Sequence, residues 1–155
     1  MIRTIAILTL AASAIGPASA ESAAQRQGVL VVAAHPDDEL VMAPAIAALA
    51  REGRKVTVLF ATLGDQGPGV SGLAPGDALG EIRRAEAVCS AKALGAESRF
   101  MNGLGDGTLT EKPQAAEAPA ARFIRQFAAE YAAIDPDLVL TWGPDGGYGH
   151  GATGW

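Results

Sequence analysis

The chain has 155 residues, 49% hydrophobic and 19% charged, which excludes a disordered polymer and suits one domain with a modest core. A formal net charge of -5 excludes a sequence-independent grip on nucleic acid, which needs a basic face to replace counterions. Cys89 is the single cysteine, so an internal disulfide and a cysteine-based zinc finger are both excluded, and any metal must be held by His, Asp or Glu.

Met1-Ile2-Arg3, an apolar run from Ile5 to Ile15 and the small residues Ala18-Ser19-Ala20 read as a secretory signal peptide cut after Ala20. The apolar run is too short to span a bilayer. The expected division is therefore residues 1–20 as signal peptide and 21–155 as one domain. The mature chain is expected to be secreted or periplasmic, with no stable membrane anchor.

Gly28 to Ala34 is a continuous apolar run, suited to a strand buried on both faces. Glu39 to Glu52 reads as a helix stopped at Gly53, with Pro44 placing its regular start, or a kink, nearby. Lys55 to Thr62 is the second expected strand. A glycine-rich loop, a candidate mobile lid, runs from Gly64 to Gly80. Glu81 to Leu94 reads as a helix, and Cys89 within it as a buried structural thiol. Arg99 to Met101 is a short third strand. Pro113 to Ile134 is helical, with Phe123, Ile124, Phe127 and Tyr131 spaced for core packing. Asp135-Pro136 breaks that helix, and Asp137 to Trp142 is the last strand.

Alternating strands and helices predict an α/β fold, a mostly parallel sheet with helices on both faces. In such sheets ligands bind beyond the carboxyl ends of the strands. The segments starting at His35, Leu63 and Gly143 should therefore converge. They hold both histidines, His35 and His150, and the carboxylates Asp37, Asp38, Glu39, Asp65 and Asp145, with Asp106 as a candidate addition.

His35-Pro-Asp-Asp-Glu39 suits a divalent metal, because imidazole and carboxylate are ordinary zinc ligands. If the chain turns into a helix here, His35 and Asp38 fall on one side and can share an ion. Asp37 is then left to take a proton from metal-activated water. The simpler alternative is that Asp37 or Asp38 caps the helix.

Ala34-His-Pro-Asp-Asp-Glu39 after an apolar strand resembles the opening motif of the LmbE/PIG-L family of N-acetylglucosaminyl deacetylases. Thr62 to Gly67, Arg83-Arg-Ala-Glu86 with Leu94-Gly95, Gly105-Asp-Gly107, and Pro136 to Trp142 followed by Gly146 to His150 are similar to later family segments, in order. The resemblance implies a Rossmann-like fold and a zinc ion held by His, Asp and His. It also implies hydrolysis of an N-acetyl group from a small-molecule amino sugar. It makes His35 and Asp38 metal ligands and Asp37 the general base. Tyr148 would polarise the acetyl carbonyl, and His150 would stabilise the oxyanion or protonate the leaving amine. Arg83 and Asp106 are candidate substrate-binding residues. Arg83 can instead pair with a carboxylate and hold the loop, and that structural role is favoured.

The family's last motif runs Gly-His-x-Asp-His. Here Ala152 and Thr153 stand where it has the aspartate and the third zinc ligand. Deleting one A from GGC GAC CAC CGG, which encodes Gly-Asp-His-Arg, yields codons for Gly-Ala-Thr-Gly, the residues from Gly151 to Gly154. The expectation is a frameshifted or truncated domain, incomplete at its C-terminus, with a sheet edge left uncovered. Such a chain would be an inactive paralogue. The same motifs also suit an amidase acting on a different amide. A nucleotide-binding Rossmann domain is disfavoured, because no G-x-G-x-x-G follows the first strand. A homo-oligomer in which a neighbouring chain supplies a ligand is compatible with the sequence.

Overall fold

The computed structural model describes residues 28–108 and 118–143. The expected signal peptide and the candidates Tyr148, His150, Ala152 and Thr153 lie outside them.

Four strands form one sheet: β1 (Gly28–Ala33), β2 (Lys55–Phe60), β3 (Glu97–Phe100) and β4 (Leu138–Thr141). Their order is β3-β2-β1-β4 and every pairing is parallel. β1 lies between β2 and β4, which is why its side chains form an unbroken apolar run. Residues on alternate sides of a strand face opposite ways, so β1 feeds two cores. Val29, Val31 and Ala33 join Val56, Val58 and Phe60 against Ile46, Ala87 and Ala91. Leu30 and Val32 join Leu59, Met101 and Leu104 on the other face, with Phe123 and Phe127 packed against them. Helices α1 (Glu39–Arg51) and α2 (Asp77–Ala93) cover the first face, and α3 (Pro119–Ile134) covers the second. This is the expected α/β layering, with helices on both sides of a parallel sheet.

Several local expectations change. α1 begins at Glu39 and runs through Pro44 rather than starting beside it. The carbonyl that Pro44 cannot pair belongs to Leu40, which is 57% exposed, so water can satisfy it. α2 starts at Asp77, four residues before Glu81, because Leu79 and Gly80 are buried in its first turn. α3 starts at Pro119, where the fixed φ of proline suits a first helical position. Ile124 and Tyr131 are exposed, against the expectation of core packing; α3 rests on the sheet through Phe123 and Phe127 alone among its aromatic positions. Cys89 is also exposed, not buried, because α2 turns Ala87 and Ala91 to the core and leaves Val88 and Cys89 outside. Among the described residues, no helix is long and apolar enough to cross a membrane.

Phe60 is fully buried and stacks on Phe100 with ring centroids 5.2 Å apart. Phe60→Ala should lower unfolding free energy by about 3–5 kcal/mol, measured by urea denaturation.

Candidate active site

The loops after β1, β2 and β3 converge; residues 144–150, the rest of the third expected segment with Asp145, lie outside the described residues. β1 leads directly into Ala34-His35-Pro36-Asp37-Asp38, which turns the chain into α1. Asp38 secures that turn. Its Oδ2 accepts the backbone N–H of Ala34 at 3.0 Å and of His35 at 2.8 Å. It makes no side-chain cap to the helix that follows. The carboxylate therefore holds the strand end behind it and does not serve as a helix cap.

His35 and Asp38 are 7% and 4% exposed. His35 Nδ1 lies 3.5 Å from Asp38 Oδ2, and Nε2 lies 2.9 Å from Asp106 Oδ1. Asp106 is itself held from the second-strand loop. Its N–H donates to Asp65 Oδ1 at 3.2 Å, and its Oδ2 accepts the Gln66 N–H at 3.3 Å. Thr62 ties that loop to β1 by donating its hydroxyl to the Ala34 carbonyl at 2.9 Å. Thus three loops meet at one imidazole. Burial is the largest influence on His35 and opposes its charged form. The hydrogen bonds and negative charges of Asp38 and Asp106 together outweigh burial and raise the imidazole pKa above its ordinary value.

Asp37 stands at the mouth of this cluster with its side chain 65% exposed. Its φ is +108°, a left-handed conformation that a residue with a Cβ adopts at a cost. Partial loss of solvent raises its carboxyl pKa, against the opposing pull of the Arg83 guanidinium and with a further push from the negative Asp38. A raised carboxyl is the better proton acceptor near neutral pH.

Arg83 explains how the turn and the glycine-rich loop fit together. Its guanidinium donates to Asp37 Oδ2 at 2.8 Å and to the Pro36 carbonyl. It also donates to the carbonyls of Gly64 at 2.9 Å and Gly67 at 3.0 Å. A Cβ on Gly64, which has φ +63°, would lie 2.6 Å from Arg83 Nη1, so the loop reaches the guanidinium only with glycine there. This is the favoured structural role: Arg83 pairs with a carboxylate and holds the loop. Asp106, a candidate for substrate binding, is engaged with His35.

The donor set fits part of a metal site. His35 and Asp38 offer imidazole nitrogen and carboxylate oxygen side by side, and both are buried. Among the described residues no group of three His, Cys, Asp or Glu side chains is arranged to hold an ion. His35 and Asp38 are thus two donors side by side, without a third among the described residues. Glu39 and Ser90 also belong to the cluster, and the sequence pattern assigns neither of them a role. Ser90 lies seven residues after Arg83, two turns along the same helical side, and that spacing is the signal the sequence offers.

A family model described as "PIG-L: GlcNAc-PI de-N-acetylase" matches residues 30–153. The 1D-myo-inositol 2-acetamido-2-deoxy-alpha-D-glucopyranoside deacetylase of Corynebacterium diphtheriae is 36% identical over 136 residues, covering 78% of this chain and 46% of that protein. The chain spans about half the length of the relatives it matches. Among solved structures, the N,N'-diacetylchitobiose deacetylase of Pyrococcus horikoshii is similar, with a TM-score of 0.62 and 26% identity over 84% of this chain and 48% of that one. So is GalB, a 4-carboxy-2-hydroxymuconate hydratase from Pseudomonas putida, with a TM-score of 0.59 and 27% identity over 74% of this chain and 46% of that one.

Two stability measurements check this geometry. Arg83→Lys cannot serve four acceptors from one point charge and should cost about 1–3 kcal/mol. The Gly67 amide, bonded to the Gly64 carbonyl, should exchange faster in that variant. Asp37→Gly removes about 1–3 kcal/mol of main-chain strain and gives up an ion pair to a mostly exposed carboxylate, worth about 0–1 kcal/mol. Its melting temperature should equal or exceed that of the parent; a clear drop would contradict the strain.

Proposed function

The chain belongs to the PIG-L (GlcNAc-PI de-N-acetylase) family, and on that premise we propose that it hydrolyses the N-acetyl group of an N-acetylglucosamine-containing small molecule with the help of one zinc ion. The observation that carries this reading is the buried His35–Asp38 pair with the Asp37 carboxylate beside it at the mouth of the cluster.

His35 and Asp38 would hold the metal. When bound, a zinc ion supplies Lewis acidity that activates water and polarises a carbonyl. The chain's residues do the rest. The carboxylate of Asp37 takes a proton from the attacking water as its oxygen bonds to the acetyl carbon. Tyr148 donates a hydrogen bond to the carbonyl oxygen as negative charge develops there. His150 stabilises that charge or gives a proton to the departing nitrogen as the C–N bond breaks. The products are acetate and a free amino sugar. Arg83 keeps Asp37 and the Gly64–Gly67 turn in register, and Asp106 orients the His35 ring, as carboxylates commonly do for metal-binding histidines. The likeness to an inositol-linked glucosaminide deacetylase and to a chitobiose deacetylase supports the amino-sugar class. The expected signal sequence supports action outside the cytoplasm.

A second reading rests on its own observation. Ala152 and Thr153 stand where the family motif has an aspartate and the third ligand histidine. A threonine hydroxyl is a poor zinc ligand, and catalytic sites usually have three protein ligands. On this reading the chain is a degenerate paralogue that does not retain metal. The hydratase neighbour supports a third possibility, since one fold hosts more than one reaction.

Zinc content separates the first two readings. The mature chain should be measured beside the double variant Ala152→Asp, Thr153→His and beside His35→Ala. Stoichiometric zinc in the unaltered chain, lost in His35→Ala, supports a hydrolase with a substitute third ligand. Zinc in the double variant alone supports a degenerate copy. No zinc in either removes the metal from the proposal.

A further inference from the structure

Glu39 plays no part in the reaction just described, yet its side chain is among the most deeply buried, at 1% exposure. A carboxylate taken from water is costly unless its oxygens are bonded. Both oxygens are. Oε2 accepts the Asp37 backbone N–H at 2.9 Å, and Oε1 accepts the Ser90 hydroxyl at 2.7 Å. The ordinary role of a glutamate in the first turn of a helix is to complement the helix dipole from the surface. That role requires neither burial nor a bond to a residue two places back.

The residue that Glu39 holds is the one with a left-handed main chain, φ +108°. A glycine would take this conformation without strain but would carry no carboxylate. Strain of this kind persists only where surrounding groups enforce it, and the groups here can be named. Arg83 draws on the Pro36 carbonyl and the Asp37 carboxylate. Ser90, two turns along α2, braces Glu39, which holds the Asp37 N–H. One side of α2 thus fixes both ends of the same residue.

We propose that Glu39, braced by Ser90, is a positioning residue that holds the Asp37 main chain in its left-handed conformation and so keeps the Asp37 carboxylate aimed at the reacting water. The proposal rests on the reading of Asp37 as the general base. It makes α2, which otherwise serves the core, a second support for the turn between β1 and α1.

The test uses amide hydrogen exchange at Asp37 and kinetics on an N-acetylglucosaminide, in the full chain and four variants. Glu39→Gln can keep both bonds, because its carbonyl accepts from Asp37 and its amide donates to a Ser90 hydroxyl turned round. Glu39→Leu keeps the volume and removes both. The Leu variant should exchange its Asp37 amide about a hundredfold faster, with β1 amides unchanged. Its kcat should fall about tenfold while KM stays within about twofold. The Gln variant should stay near the parent in each measurement. Unchanged Asp37 exchange in the Leu variant overturns the proposal, and so does faster exchange with kcat intact. Should the Leu variant unfold, β1 amides lose protection too, and Ser90→Ala replaces it. A rise in Asp37 exchange there, with β1 unaffected, supports the brace; no rise overturns it. In a preparation without turnover, the exchange rates and the Gln rescue decide alone. Asp37→Asn with full turnover would instead sink the base reading, leaving the exchange result to stand on its own.

Discussion

Two hydrogen bonds to one carboxylate oxygen fix the geometry on which the rest of the site depends. Asp38 Oδ2 takes the N–H groups of Ala34 and His35 as the chain leaves β1. Those two donors are past the ladder that pairs the strand and would otherwise be buried without partners. By satisfying them, Asp38 ends the strand and aims His35 into the space above the sheet. The same residue is the oxygen donor in the proposed metal site, so the fold and the proposed chemistry share one side chain. Removing it would cost both.

From that turn outward the site is a set of nested supports. His35 is met by Asp106, which is met by Asp65 and Gln66. Asp37 is met by Arg83, which also gathers the Gly64 and Gly67 carbonyls. Glu39 is met by Ser90. The supports come from the loops after β2 and β3 and from helix α2, which packs against the sheet. The parallel sheet matters because it brings the strand ends, and hence the loops after β1, β2 and β3, to one edge. A small set of polar contacts can then connect distant parts of the chain.

The charge balance of the cluster is as informative as its geometry. One imidazole lies among Asp38, Asp106 and Asp37, with Arg83 the opposing cation. The carboxylates favour a charged His35, and a divalent cation would meet the same field. The last family motif departs at Ala152 and Thr153, which lie outside the described residues.

Much of this was legible in the sequence because the determinants are local. The unbroken run from Val29 to Ala34 could only be a strand buried on both faces, and His35-Pro-Asp-Asp-Glu39 stood where such a strand must end. The parallel sheet with helices on both faces followed from alternation, and the nearness of the Leu63 segment to the His35 turn from the rule that sites lie beyond the strands' carboxyl ends. What tertiary structure decided were matters of which side faces what. Cys89, Ile124 and Tyr131 looked like core by spacing, but the helices turned other residues inward. Pro44 looked like a boundary, but the helix runs through it, and Leu40, whose carbonyl it leaves unpaired, is exposed. The double use of Arg83, and the hold of Glu39 and Ser90 on Asp37, depend on α2 lying against the turn between β1 and α1. Periodicity along one segment carries no information about which carbonyls or amides a second segment will present. Such contacts between residues about fifty positions apart are set only when the sheet brings them together.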